Sequence, residues 1–153
     1  MPSVITRSEM ETVALGKRLG GLLMSGDFIA LMGELGTGKT RFVQGIAAGL
    51  TMDPGLPVTS PTYSLLHIHD GRLPLFHFDL FRLKGAADVE ELGFEEYFYG
   101  DGVSVVEWAD RLQEEMPDER LVITFSHVGE EERKIEFSPR GERYVELVMN
   151  LFH

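Results

Sequence analysis

Residues 28–42 read FIALMGELGTGKTRF, and no other stretch of the chain constrains its fold as tightly. Phe28 to Met32 is an unbroken apolar run, the pattern of a strand covered on both faces. Gly33, Gly38, Lys39 and Thr40 satisfy the spacing G-x-x-x-x-G-K-[ST]. Beyond the turn, Phe42, Val43, Ile46, Ala47 and Leu50 recur at helical spacing. A loop that wraps a phosphate must aim several backbone N–H groups inward, and residues with a Cβ resist the dihedrals required. The main chain of Gly33, Glu34, Leu35, Gly36, Thr37 and Gly38 is therefore the candidate cradle. Lys39 would reach the β- and γ-phosphates of a nucleotide, and the Thr40 hydroxyl would ligate Mg²⁺. The helix starting near Gly38 adds the positive end of its dipole.

A chain of 153 residues suits a single domain, 1–153, with a real core. Its 43% hydrophobic and 25% charged content is ordinary for a globular protein. No apolar stretch is long enough to span a membrane, and MPSVITRSEMETV lacks the pattern of a secretory signal. Cysteine is absent, which fits a reducing compartment, and the cytoplasm is the expected location. The net charge is −11, and the 14 Lys and Arg residues are scattered. Such a surface repels nucleic-acid phosphates, so direct binding of DNA or RNA is not expected. A protein partner with a basic face remains compatible.

Ser8 and Glu11 form an S-x-x-E capping box ahead of an amphipathic helix to about Met24. After the phosphate-loop helix, MDPGLP reads as a loop, and VTSPTYSLLHIHD turns from loop to strand. Asp70-Gly71 signals a hairpin returning through LPLFHFDLF. AADVEEL predicts a short helix stopped by Gly93, and EEYFYGDG a loop or irregular helix. VSVVEW is a second buried strand, followed by helical ADRLQEEM. RLVITFSHV, RKIEFSP and RYVELVM read as consecutive strands. The expected fold is α/β: a phosphate-loop, three-layer sandwich whose mixed sheet has a parallel core and antiparallel C-terminal strands.

A phosphate loop needs a carboxylate to position magnesium, ordinarily from the end of a neighbouring buried strand. Asp79 closes LPLFHFD and Glu107 closes VSVVE. Residue types alone leave open which of them touches the metal and which orients the attacking water. Alternation puts His77 and Asp79 on one strand face, so His77 is expected beside Asp79. His67, His69 and His77 also raise a transition-metal site, weakly supported without cysteine. Ser60 and Thr62 could sense a γ-phosphate, and Arg82 could neutralise transferred charge.

Taken together, these segments resemble the TsaE (YjeE) family, the small ATPase of bacterial tRNA threonylcarbamoyladenosine synthesis. SEMETVALGKRL is similar to its opening helix, GELGTGKT to its phosphate loop, and VTSPTYSL to its S-P-T-[FY] segment. HFDLFRL resembles its H-x-D-L-[YF]-R-L strand end, and EELGFEEYF and VVEW its later signatures. The resemblance implies that Lys39 binds phosphate and that Thr40 and Glu107 hold Mg²⁺, with Asp79 the acid of the hydrolytic machinery. It implies that Thr62 belongs to a switch-like segment and that Trp108 lies against the site. It also implies that Glu9 and Arg133 approach the nucleotide base. Phe81 stands where the family more often has tyrosine. The implied partners are TsaB and TsaD, the latter transferring threonylcarbamoyl to tRNA; hydrolysis of ATP would reset that pair, and tRNA would be met only through them.

Two other classes share the phosphate loop. A small-molecule kinase would need an acceptor pocket and an arginine-bearing lid, and no long arginine-rich insertion is visible. A non-catalytic binding module would keep nucleotide affinity without hydrolysis.

Overall fold

The structure is a computed structural model that describes residues 2–34, 36–51, 58–61, 63–84 and 86–153. The apolar run Phe28–Met32 forms β2, the central strand. β5 (Val103–Glu107) and β6 (Arg120–His127) flank it, both parallel to it. β4 (Leu75–Asp79) lies parallel to β5, and β3 (Leu66–His69) closes that side antiparallel to β4. On the other side, β7 (Arg133–Arg140) runs antiparallel to β6, and β1 (Ser3–Thr6) antiparallel to β7. The sheet order is therefore β1-β7-β6-β2-β5-β4-β3. The expected mixed sheet, parallel in its core, is the sheet observed.

Alternation decides which helices cover which face. Ile29 and Leu31 of β2 and Val103 and Val105 of β5 pack with α1 (Glu9–Leu22), α2 (Lys39–Gly49) and α5 (Glu142–Leu151). Phe28, Ala30, Phe78 and Val106 point the other way. There they pack with α3 (Ala86–Leu92), α4 (Glu95–Phe98) and the 3₁₀ segment Ala109–Glu115. The Ser8 side chain accepts from the Glu11 N–H and caps α1 as its S-x-x-E pattern requires.

α1 and α2 meet through glycine rather than through a leucine seam. Gly16 and Gly20 face Gly45 and Gly49, so closely that a Cβ at Gly45 would sit 2.1 Å from the Val13 carbonyl oxygen. α2 is thereby drawn against α1, and with it the phosphate loop at its N-terminus.

One expectation fails. RYVELVM is not a strand but most of α5. Tyr144, Leu147, Val148 and Leu151 are buried while Val145 and Met149 are exposed, a helical period that its β-branched and aromatic content disguises. ADRLQEEM is helical as expected, in the form of a 3₁₀ segment broken at Gln113 by φ 50° and ψ −122°. β1 was not anticipated: its short, mostly exposed segment carries little pattern, and it is a strand because β7 offers it an edge. The MDPGLP loop lies outside the described residues.

Candidate phosphate-loop site

The loop leaves β2 at the carboxyl end of the parallel strands, where ligand crevices of open α/β sheets form. Gly33 takes φ 135°, and a Cβ there would meet the Phe125 carbonyl oxygen of β6 at 2.6 Å. Gly38 begins α2 with a left-handed φ of 97°. The Thr37 hydroxyl donates to the Glu34 carbonyl at 2.6 Å and closes the turn. Leu35 lies outside the described residues.

Lys39 is buried, with only 4% of its surface exposed. Its ammonium donates to the Gly33 carbonyl and rests 3.8 Å from the centroid of the Trp108 ring. Among the described residues no salt bridge ties it to a carboxylate. Burial lowers its pKa, and the nearby charges of Glu107, Asp79 and Asp110 oppose that shift. A desolvated cation held by a carbonyl and an aromatic face is under-compensated, and an arriving phosphate would complete its shell. Trp108 holds its ring there from a left-handed backbone, φ 58° and ψ 41°, with Phe81 at 4.9 Å ring to ring.

Asp79 and Glu107 end neighbouring strands and are paired in register. Both are 3% exposed. Asp79 accepts from the Phe81 N–H at 2.9 Å and from the Ser60 hydroxyl. Glu107 uses its two oxygens separately: Oε1 accepts from the Thr40 hydroxyl at 3.3 Å, and Oε2 bonds His77 Nε2 at 2.6 Å. His77 is thus the neighbour of Glu107, not of Asp79 as expected, because the side chain across the strand pair reaches further than the one along the strand. Carboxylates and a hydroxyl form a hard oxygen set, suited to Mg²⁺ rather than to a softer metal.

Two clefts adjoin the loop. One, of about 380 Å³, is lined by Lys39, Thr40, Ser60, Asp79, Glu107 and Trp108. The other, of about 430 Å³, is lined by Ser8, Glu9, Met10, Arg41, Glu131 and Arg133. Gly36 and Gly38 border both, so the loop separates a carboxylate chamber from a second one. Glu9 pairs with Arg41 at 3.5 Å, and Arg133 donates to the Gly36 carbonyl at 3.3 Å. Residues distant in sequence meet here because Thr6 of β1 is in register with Arg133 of β7. Met10 and Glu131 carry no local signal in the sequence for that reason, whereas Arg41 is brought to the cleft by α2.

Not every candidate joins this site among the described residues. Thr62 lies outside the described residues. Arg82 is exposed and donates to the Tyr63 carbonyl at 3.1 Å, away from both clefts. His67 and His69 stack edge to face at 6.1 Å, and burial, then His77 and His67, lowers the pKa of His69. Among the described residues no group of His, Asp or Glu is arranged to hold a metal ion by itself.

A family model described as threonylcarbamoyl adenosine biosynthesis protein TsaE matches residues 6–135, from the end of β1 into β7. The chain belongs to the TsaE family. The tRNA threonylcarbamoyladenosine biosynthesis protein TsaE of Bacillus subtilis is 42% identical over 142 residues, covering 92% of this chain and 87% of that one. Its namesake in Treponema pallidum is 38% identical over 131 residues, 86% of this chain and 96% of that one. The crystal structure of YdiB from Bacillus subtilis superposes with a TM-score of 0.86 at 36% identity, over 99% of this chain and 93% of that chain. The likeness extends through α5, past the end of the TsaE family match, and shows the phosphate-loop fold.

Proposed function

We propose that this protein is a magnesium-dependent ATPase required for threonylcarbamoyladenosine formation in tRNA, at the adenosine next to the anticodon. It acts in the cytoplasm on a partner complex of the TsaB and TsaD type. The pathway follows from the TsaE family, whose members carry it in their names. One observation carries the chemical reading: a buried ammonium at the phosphate loop, in no salt bridge among the described residues, stands beside a hydroxyl and two carboxylates at adjoining strand ends.

The residues divide the work. The loop amides and Lys39 bind the β- and γ-phosphates, and Lys39 exchanges the Gly33 carbonyl and Trp108 face for phosphate oxygens. Thr40 and Glu107 hold Mg²⁺, which when bound neutralises charge on the phosphate oxygens. Asp79 lines the same chamber and orients the attacking water, its own oxygens steadied by Phe81 N–H and Ser60. Glu9, Arg41 and Arg133 line the chamber where nucleoside would lie. With a net charge of −11, contact with tRNA falls to the partners.

The test is ATP turnover by the purified protein, alone and with a TsaB–TsaD pair. Turnover is expected to be slow alone and stimulated by the pair; equal rates would count against the proposal. Asp79→Ala and Glu107→Ala should each abolish the stimulated rate, and Lys39→Ala should weaken nucleotide binding as well. Unchanged turnover in both carboxylate variants would refute the assignment of roles.

A further inference from the structure

His77 occupies the middle of β4, in register with Val105 of β5 on one side and His67 of β3 on the other. It is wholly buried, and its strand neighbours on the same face include Leu75 and Asp79. Nε2 lies 2.6 Å from Glu107 Oε2, whereas Nδ1 is enclosed without a hydrogen-bond partner among the described residues. With the proton on Nε2, the ring donates to the carboxylate and only a lone pair is left stranded at Nδ1. That arrangement costs less than a stranded N–H, but more than the aliphatic side chain that Val105 presents beside it. A core position that carries an imidazole under those terms must gain from its bond to Glu107.

That bond determines how Glu107 is presented. A glutamate side chain is free about three torsions and can offer either oxygen, or both. Here Oε2 is taken by His77, and Oε1 alone faces the Thr40 hydroxyl. We propose that His77 is a positioning residue: by holding Oε2 it fixes the carboxylate so that a single oxygen, Oε1, is offered to a divalent cation beside Thr40. This inference rests on the reading of Glu107 as a metal ligand. Partners of metal-binding carboxylates characteristically set affinity by fixing orientation, and their loss costs about 10- to 100-fold.

Chain geometry supplies the variants. The amide nitrogen of glutamine is as many bonds from Cβ as histidine Nε2, so His77→Gln can keep the donor. His77→Asn carries its nitrogen too near the backbone, and His77→Leu has none. The full chain is titrated with MgCl₂ in saturating ATP, with emission of Trp108 as the readout, and ATP binding is measured separately in EDTA. Thermal melts accompany both. His77→Leu and His77→Asn should raise the half-saturating Mg²⁺ concentration about 10- to 100-fold while leaving metal-free ATP affinity within about twofold. His77→Gln should restore most of the loss.

Parental Mg²⁺ dependence in a folded His77→Leu or His77→Asn protein overturns the inference. So does a glutamine variant as impaired as asparagine, since packing rather than donation would then be at work. If leucine at this position prevents folding, the glutamine–asparagine comparison decides alone. Glu107→Ala separates the two levels. If it leaves Mg²⁺ dependence unchanged, the ligand reading falls and the His77 role with it; if it weakens Mg²⁺ while His77→Leu and His77→Asn do not, only the His77 role falls.

Discussion

Gly45→Ala should destabilise this protein although alanine is the better helix former. A Cβ at position 45 would lie 2.1 Å from the Val13 carbonyl oxygen, 2.9 Å from Lys17 N and 3.0 Å from Gly16 Cα. Carbon–oxygen contacts settle near ~3.3 Å, so the gap is short by about 1.2 Å. All three obstacles are backbone, and no rotamer change relieves them. α1 and α2 must part, which loosens Leu15 and Leu19 from Phe42 and Ile46 in the core. Overpacking costs up to ~3 kcal/mol, and the alanine propensity returns at most ~1 kcal/mol, leaving a loss of about 2 kcal/mol. For a chain of this size that lowers Tm by roughly 4–8 °C. Because Lys39 and Thr40 ride on the first turn of α2, ATP affinity should fall with it. Gly21→Ala is the control: it lies in the same α1, exposed, with no contact from the described residues within 4 Å of its Cβ position. It should raise stability by about 0.5 kcal/mol. Calorimetric melts of both variants read the opposite signs. A Gly45→Ala protein that melts at or above the parent temperature would show that the helix contact is not the close approach described here.

Trp108 is the one tryptophan in the chain, so its emission reports on Lys39 directly. Saturating ATP should shift that emission as the ammonium leaves the ring, and Lys39→Ala should show the shift before nucleotide is added; an ATP-bound protein with unaltered emission would contradict it. Burial raises the Tyr144 hydroxyl to about 12, although the bond it accepts from the Phe28 N–H works the other way. Between pH ~10 and that value the unfolded chain has released this proton and the folded chain has kept it, so stability declines as pH rises, with the full contribution present below pH ~10. Tyr144→Phe should flatten that alkaline decline in urea midpoints while costing about 1–3 kcal/mol at neutral pH for the orphaned N–H. An equally steep decline in the variant would place its source elsewhere.

Much of the site was legible because its signals are local. A glycine at Gly33, needed for φ 135° against the Phe125 carbonyl, is a demand of one backbone position and shows in one letter. Asp79 and Glu107 stood out because a charge ending an apolar run requires a reason. The period of α5 was present too, but Tyr144, Val145 and Val148 favour strands, and composition outweighed spacing in the reading of RYVELVM.

From its sequence alone, then, the chain determined that strand, loop and helix succeed one another around Gly33–Thr40, and that acidic residues close two buried strands. Those features depend on dihedral limits and burial along neighbouring residues, which a sequence records directly. The tertiary structure alone decided that Glu107 is shared between Thr40 and His77, that Lys39 waits on Trp108, and that Glu9 and Arg133 border one cleft. These meetings join residues far apart in the chain. They arise from sheet order, strand register and the glycine contact of two helices, properties of how elements pack rather than of any one segment.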